Sequence, residues 1–283
     1  MNILISYRGI PLSRGWETGS CLRRAFKRFG HRVQPYGNYY NTCEAIECDD
    51  NDKFELHETD LWIWMECNDA DPQYTELLPI LKHCPRVLWD FDTSMHFGFT
   101  KQLSNEFDFN FVANKKFVDK IDRAQYLPYA VDETLFYPAK RKREGAAIIG
   151  TPFQERVDFA QMAGVQLKSN VYNIAYVDAV RSLKIHVHYL ASGGEGLIVC
   201  RPFETMGCKT FLLAEKCESL GELFVDGNHF VSYADVKDLR EKVDYYLSHD
   251  EEREKIAREG YEFCVMNHSY IARANTILTT VFK

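Results

Sequence analysis

The chain has 283 residues, of which 46% are hydrophobic and 27% are charged, and its formal net charge is -7. This length suits two domains of about 140 residues each, and the apolar content excludes low-complexity disorder. The negative charge gives no bulk attraction to nucleic acid or to an anionic membrane, although a local basic patch is compatible with it.

The cysteines and the N-terminus indicate a cytoplasmic protein. Nine cysteines, an odd number without a CxxC pair, favour free thiols over a disulfide framework or a zinc site. The first residues do not have the pattern of a signal peptide, and no apolar stretch is long enough for a membrane span.

Strands and helices alternate along the first half of the chain. The predicted strands are 2–7, 31–36, 60–66, 86–90 and 109–113, and the predicted helices are 20–29, 74–82 and 115–121. The opening β-loop-α-β pattern is typical of a doubly wound α/β fold, in which helices cover both faces of a parallel sheet.

A second alternation follows a charged segment at 137–145, which suits a linker. The predicted strands are 146–150, 165–167, 185–189, 210–213 and 230–233, and the predicted helices are 154–163, 176–183, 197–206, 236–248 and 251–263. We therefore predict two Rossmann-like domains, 1–138 and 139–262. A C-terminal helix within 263–283 is expected to pack back on the first domain.

The segment from Gly193 to Leu213 suggests a ligand site. It reads as a Gly-rich turn, a helix with Arg201 and Glu204 on one face, a glycine stop and a short strand. The turn frees backbone N–H groups at a helix start, where the helix dipole favours an anion. An arginine for phosphate and a glutamate for paired hydroxyls suit a nucleotide sugar. The alternative is a surface helix with an i,i+3 ion pair.

Four stretches together resemble the GT-B glycosyltransferases, and most nearly the glycosyltransferase-like proteins of the CgeB/YkvP spore-protein type. They are Trp89–Thr93, Tyr126–Asp132, Gly150–Arg156 and Arg201–Leu213. The resemblance implies a GT-B fold, with two Rossmann-like parallel-sheet domains facing across a cleft. It also implies an acceptor-side first domain, a second domain that binds the nucleotide-diphosphate sugar, and no essential metal or cofactor. A UDP-sugar is the expected co-substrate.

The resemblance also implies roles for individual residues of the donor site. Arg156 and Arg201 would neutralise the diphosphate, and Glu204 would accept hydrogen bonds from the ribose hydroxyls. The predicted donor site is completed by Gly150, Thr151, Gly194 and Thr205. Glu195 precedes Glu204 with eight residues between them, one more than in retaining GT-B enzymes. Its role, and with it an inverting or retaining outcome, stays open, and it could instead cap the helix.

Removal of the acceptor proton requires a base. Asp90 and Asp92 follow a predicted strand, and we predict Asp92 as the base, with Asp90 and Thr93 beside it on the acceptor side; a capping aspartate is the alternative. Glu17 is the second candidate for the base or a sugar-hydroxyl ligand, and Trp16 adjoins it on the acceptor side.

Two patterns with metal-like spacing are interpreted without a metal. Asp90-x-Asp92 matches the DxD of the other glycosyltransferase fold, but the same pattern occurs at Asp69–Asp71. His186-x-His188 is interpreted as a pair of core or cleft-edge histidines.

Three functions compete for this sequence. The first is a hexosyl- or pentosyltransferase that acts on a hydroxyl of a small molecule, glycan or protein. The second is a phage-type DNA glycosyltransferase that acts on hydroxymethylated bases, for which basic residues are the only hint: Arg23, Arg24, Lys27, Arg28 and Lys140–Arg143. The third is a non-catalytic protein that binds a nucleotide sugar or is structural.

Overall fold

The computed structural model describes residues 1–7, 17–37, 50–65, 72–190 and 198–283. These residues form two compact units. The first unit comprises Met1–Pro128 and Tyr270–Lys283, and the second comprises Tyr129–Ser269. The chain therefore passes between the units twice.

The first unit is built on a parallel sheet. Its strands are β1 (Asn2–Ser6), β2 (Arg32–Tyr36), β3 (Leu61–Met65), β4 (Arg86–Asp90), β5 (Phe109–Val112) and β6 (Ala124–Tyr126), in the order β2-β1-β3-β4-β5-β6. Helices α1 (Thr18–Arg28) and α2 (Phe97–Leu103) belong to the same unit. Every position of β3 is buried, as expected for a strand with both faces covered. Trp62 and Trp64 lie on one face of β3 and stack with ring centroids 6.3 Å apart.

The second unit contains another parallel sheet. Its strands are β7 (Ala146–Ile149), β8 (Gln166–Lys168), β9 (Ile185–His188), β10 (Phe211–Glu215) and β11 (Val231–Tyr233), in the order β11-β10-β9-β7-β8. Its helices are α3 (Gln154–Ala163), α4 (Ile174–Arg181), α5 (Cys200–Gly207), α6 (Glu218–Leu223), α7 (Val236–Ser248) and α8 (Asp250–Asn267). The last helix, α9 (Tyr270–Val281), belongs to the first unit. The two sheets confirm the predicted pair of Rossmann-like folds.

The helix predicted at 74–82 is the clearest difference between sequence and structure. A 3-10 helix at Pro72–Leu77 replaces it and ends just before Pro79. A proline inside an α-helix removes one backbone hydrogen bond and clashes with the preceding turn, so the predicted helix could not continue. The segment predicted as a helix at 115–121 is likewise a 3-10 helix, at Lys115–Lys120.

The charged segment at 137–145 is part of the second unit and makes side-chain contacts with the rest of it. The buried Arg181 donates to the carbonyl of Tyr137 at 2.8 Å, and its guanidinium lies over the Tyr137 ring. Arg143 donates to the carbonyl of Cys208 at 2.9 Å, just beyond the C-terminal end of α5, where a cation is favourable. The structural division thus falls after Pro128 and Ser269, whereas the sequence-based boundaries lie after residues 138 and 262.

The two ends of the second unit are adjacent. Val131 and Ser269 form an isolated parallel β-bridge, and the Val131 N–H donates to the carbonyl of His268 at 2.9 Å. Just before the first crossing, the indole of Trp89 donates to the carbonyl of Leu127 at 2.8 Å. The Trp89 and Leu127 stretches that carried the family resemblance therefore meet in the first unit.

Within the described ranges, no helix combines the length and the apolar character needed to cross a membrane.

We predict that Gly260→Ala destabilises the second unit. Gly260 is buried within α8, and a Cβ atom there would lie 2.3 Å from the backbone oxygen of His229. Overpacking typically costs about 1–3 kcal/mol, which outweighs the roughly 1 kcal/mol by which alanine favours a helix over glycine. Urea unfolding measures the difference.

Gly221→Ala is the matched control, because a Cβ atom at this position of α6 meets nothing within 4 Å. We expect this variant to be as stable as the parent or more stable. Equal stability of the two variants would contradict the packing argument.

Candidate functional site

The second sheet reverses its strand order between β7 and β9. The chain runs from β7 to β8 on one side, and then to β9, β10 and β11 on the other side. Ligands of open parallel sheets bind beyond the carboxyl ends of the strands at such a reversal. Gly150 and Thr151 directly follow β7, and α5 follows β9 along the chain.

The side chain of Arg156 is held by the backbone near the carboxyl end of β7. It lies in the first turn of α3 and is buried, and its guanidinium donates to the carbonyl of Thr151. A Cβ atom on Gly150 would lie 3.1 Å from Nη1 of Arg156, so glycine provides the room for the side chain. The neighbouring Glu155 is engaged elsewhere, since it accepts the Tyr189 hydroxyl at 2.7 Å.

Arg201 supplies a second positive charge, and Arg156 lies within its electrostatic reach. It is a partly exposed residue in the first turn of α5. Burial lowers the pKa of the Arg156 guanidinium, and the positive charge of Arg201 lowers it further. Among the described residues, neither Arg156 nor Arg201 forms an ion pair. Two like charges beside two helix N-termini form a site suited to a polyanion.

Two histidines of β9 are buried and are affected by the charges of the arginines. Burial lowers the pKa of His188 to about 3, and Arg201 and Arg156 contribute to the shift. Burial likewise lowers the pKa of His186 to about 3. Both side chains are therefore neutral at physiological pH, as expected for core histidines. The described part of the chain contains no group of three or more potential metal ligands.

Thr205 joins helix α5 to strand β9. Its hydroxyl is fully buried, donates to the carbonyl of Arg201 at 2.7 Å and lies 2.6 Å from Nδ1 of His186. Thr205 thus packs helix α5 on β9, and its place in the donor site stays a prediction.

Glu204 lies one helical turn beyond Arg201 and is held by a residue that the sequence analysis did not identify. The hydroxyl of Tyr176, on α4, donates to Oε2 of Glu204 at 2.8 Å. Burial raises the pKa of the Glu204 carboxyl, while Tyr176 and Arg201 oppose that shift. The spacing of residues 176 and 204 gives no signal, since only the packing of α4 near α5 brings them together.

The two aspartates at the end of β4, Asp90 in its last position and Asp92 just beyond it, have different surroundings. Asp90 is fully buried and accepts the Thr100 hydroxyl at 2.7 Å and the Asp92 N–H at 3.2 Å. Burial raises the pKa of its carboxyl, and hydrogen bonding from Thr100 opposes the shift. Thr93 is also fully buried, whereas Asp92 is exposed in the turn. Asp92 is thus the accessible carboxylate of the pair, and Asp90 anchors the turn to α2.

Glu17 is the buried residue that precedes α1. It accepts the Ser20 hydroxyl at 3.1 Å, and Ser20 lies 2.9 Å from the Tyr7 hydroxyl. A Cβ atom on Gly19 would lie 2.1 Å from the Tyr7 ring, so glycine here allows the close approach of that ring. Glu17, Ser20 and Tyr7 lie near the carboxyl end of β1. The first sheet reverses its strand order there, between β1 and β3.

Several predicted residues lie outside the described parts of the chain. They are Trp16, Gly194 and Glu195, together with the second DxD at Asp69–Asp71.

The basic end of α1 is only partly exposed to solvent. Arg23 is buried and pairs with Asp52 at 2.7 Å, and Lys27 pairs with the same carboxylate at 2.7 Å. Arg28 is exposed. The burial of Arg23 removes it from the set of phosphate-binding candidates, because a DNA backbone cannot reach a guanidinium that is covered, whereas Lys27 and Arg28 stay exposed.

Comparison with known proteins identifies the family. Residues 123–279, more than half of the chain, match the glycosyl transferase-like family, and the chain belongs to it. A comparison of the sequence with curated proteins finds no match.

Solved structures show the same fold along almost the whole chain. HepE of Anabaena in complex with UDP and glucose is 11% identical with a TM-score of 0.69, and 99% of each chain is covered. An alpha-glucosyltransferase in complex with UDP and a 13-mer DNA is 11% identical with a TM-score of 0.74, again over 99% of each chain. The sucrose-phosphate synthase of Thermosynechococcus elongatus is 11% identical with a TM-score of 0.69, over 98% of this chain and 97% of that one. The fold is that of the GT-B glycosyltransferases.

We predict that acid destabilises the second unit through its buried histidines. The pKa of His186 lies near 3 in the folded protein, below the ordinary 6.5, so the unfolded chain binds more protons between these values. Its contribution to stability is therefore complete above pH 6.5 and is lost as the pH falls towards 3. Each such histidine contributes a slope of up to about 1.4 kcal/mol per pH unit.

Urea unfolding at several pH values between 4.5 and 7 tests this expectation. His186→Gln should flatten the pH dependence of the unfolding free energy. His249→Gln changes an exposed histidine of the same unit and is the matched control. Parallel curves for the parent and His186→Gln would contradict the assignment.

Proposed function

We propose that the protein is a glycosyltransferase that moves a sugar from a nucleotide-diphosphate sugar to an acceptor hydroxyl. The observation that carries the proposal is the pair Arg156 and Arg201. These guanidinium groups lie close enough to affect each other electrostatically, at the strand-order reversal of the second sheet. A diphosphate is the ligand whose two linked negative charges match them.

The proposed chemistry depends on charge that develops on the leaving group. As the bond between the sugar and the diphosphate breaks, the nucleoside diphosphate gains negative charge, which Arg156 and Arg201 stabilise. The N-terminal turns of α3 and α5 add oriented N–H groups. Glu204 accepts hydrogen bonds from the ribose hydroxyls. UDP bound to HepE and to the alpha-glucosyltransferase supports a UDP-sugar as the donor.

The two arginines also support transfer without a metal. They supply the positive charge that a divalent cation would otherwise supply to the diphosphate. We propose a metal-independent hexosyl- or pentosyltransferase of the GT-B type, near the CgeB/YkvP type within that superfamily. Four free cysteines among the described residues fit a cytoplasmic enzyme: Cys84, Cys200, Cys208 and Cys217.

The acceptor base is proposed to belong to the first unit. Asp92 is the first candidate because its carboxylate is exposed directly after β4. Glu17 is the second candidate, since it lies at the carboxyl end of β1 and is already oriented by Ser20. Either residue would accept the proton of the attacking hydroxyl while the oxygen of that hydroxyl bonds to the sugar.

We predict that Arg201→Ala and Glu204→Ala each weaken UDP binding. Each loses a charged hydrogen-bond partner of the nucleotide, which costs about 2–3 kcal/mol, or roughly 30- to 150-fold in affinity. Isothermal titration calorimetry with UDP measures the loss. Arg240→Ala removes an exposed arginine of α7 and is the control that should bind as the parent does. Unchanged affinity in both site variants would reject the donor site.

We predict that Asp92→Asn retains the fold and UDP binding but loses transfer. Loss of a general base typically lowers the rate about 100- to 10,000-fold. The measurement is UDP release from a UDP-sugar in the presence of an acceptor. Glu17→Gln is tested in parallel, and full activity of Asp92→Asn with a loss in Glu17→Gln would transfer the role to Glu17.

DNA is a second candidate acceptor. The observations that favour it are the exposed end of α1 at Lys27 and Arg28 and the fold shared with an alpha-glucosyltransferase solved with DNA. If a duplex binds there, Lys27→Ala with Arg28→Ala should reduce the salt dependence of binding by about one unit of slope per lost phosphate contact.

A gel shift with unmodified and hydroxymethylated duplexes, with UDP present, measures that binding. Arg240→Ala again serves as the control. Absence of any shift would exclude DNA and leave a small molecule, a glycan or a protein as the acceptor. Donor binding without transfer to any acceptor class would instead favour a non-catalytic nucleotide-sugar-binding protein.

A further inference from the structure

The contact between Tyr176 and Glu204 joins two helices at the proposed donor site. The Tyr176 hydroxyl donates to Oε2 of Glu204 at 2.8 Å, and both side chains are partly buried. The Tyr176 ring packs edge-to-face on Phe136, with centroids 6.1 Å apart. The ring therefore has its own packing partner, and the hydroxyl is available to fix the carboxylate.

Glu204 keeps acceptor capacity after this contact. A carboxylate has about four acceptor sites, so one hydrogen bond from Tyr176 leaves it able to accept from two neighbouring hydroxyls as well. Burial raises the pKa of Tyr176 well above its ordinary value, so its hydroxyl remains a donor throughout the working range of pH. A donor that does not ionise holds the carboxylate in one orientation.

We propose that Tyr176 is a positioning residue that orients Glu204 towards both ribose hydroxyls, and that the pair selects ribonucleotide over deoxyribonucleotide donors. This inference rests on the proposed function, because it assumes that Arg156 and Arg201 bind the diphosphate. An oriented carboxylate discriminates strongly against a ligand that lacks a hydroxyl, since the acceptor site is then left without a partner. A freely rotating carboxylate would discriminate less, because it could turn to another donor.

Tyr176→Phe isolates the hydroxyl from the packing of the ring. Calorimetry would compare UDP, 2′-deoxy-UDP and inorganic pyrophosphate on the parent, Tyr176→Phe, Glu204→Gln and the double variant. Loss of one hydrogen bond to a charged group corresponds to about tenfold in affinity. We expect Tyr176→Phe to lower the affinity for UDP by about that factor. The affinity for 2′-deoxy-UDP should change less than about twofold, and the affinity for pyrophosphate should stay unchanged.

The double variant provides a thermodynamic cycle. If Tyr176 acts through Glu204, its substitution should have little further effect on UDP binding once Glu204 is glutamine. The control is Tyr245→Phe, which removes another tyrosine–glutamate hydrogen bond, from Tyr245 to Glu252 at 2.8 Å, on an exposed part of the second unit. This variant should bind all three ligands as the parent does.

The pH dependence of UDP binding is a readout that a purely structural role would not move. The groups that oppose the raised pKa of Glu204 are Tyr176 on α4 and Arg201 and Cys200 on its own helix. Without the Tyr176 hydroxyl the carboxylate is harder to ionise, so the loss of UDP affinity in acid should begin at a higher pH in Tyr176→Phe. Pyrophosphate binding should not show this shift.

The outcomes separate this inference from the proposed function. Equal losses for UDP and 2′-deoxy-UDP in Tyr176→Phe, or no loss for either, would overturn the positioning role while the donor site stands. Absence of UDP and pyrophosphate binding by the parent would reject the donor site and this inference with it. A tenfold loss confined to UDP, absent in the Glu204→Gln background, would support the positioning role.

Discussion

Two like charges held at one edge of a sheet are the constraint on which the second unit depends. Arg156 and Arg201 repel each other, and burial of Arg156 adds to the unfavourable energy. The fold tolerates this because Arg156 donates to the backbone beside Gly150 and because Arg201 is partly exposed. An anion between them would relieve the repulsion, so ligand binding and local stability are expected to be coupled.

Helix α5 carries this arrangement and is fixed at several points. Thr205 attaches it to β9, and Arg143 occupies its C-terminal end. A Cβ atom on Gly207 would lie 2.5 Å from the side chain of Val131, so the end of the helix lies closely against the start of the unit. Arg201 and Glu204 thus belong to a short helix whose rotation and translation are restricted, which suits groups that must meet a ligand in fixed geometry.

The sequence predicted the fold well because most of the buried parallel strands are short apolar runs bounded by polar residues or glycine. It also placed Arg156, Arg201 and Glu204 in one unit, since spacing along a helix and position after a strand are local properties. Contacts between distant segments were not predictable in this way. Asp52 makes Arg23 an internal residue, although nothing near Arg23 in the sequence indicates it. Tyr176 becomes a partner of Glu204 only through the packing of two helices. Pro79 is a local signal against a helix at 74–82, but the helical spacing of the apolar residues there outweighed it in the prediction.

The two ends of the second unit lie next to each other, so the unit is one continuous module of the chain. Because Val131 pairs with Ser269, a continuous segment of the sequence begins and ends at one place, in the manner of a domain inserted into a loop of another. Closing such a loop costs little additional chain entropy however long the insert is. The first unit, in contrast, is assembled from two separate stretches of the chain, Met1–Pro128 and Tyr270–Lys283. During synthesis on the ribosome, its last helix emerges only after the whole insert, so the first unit is completed last.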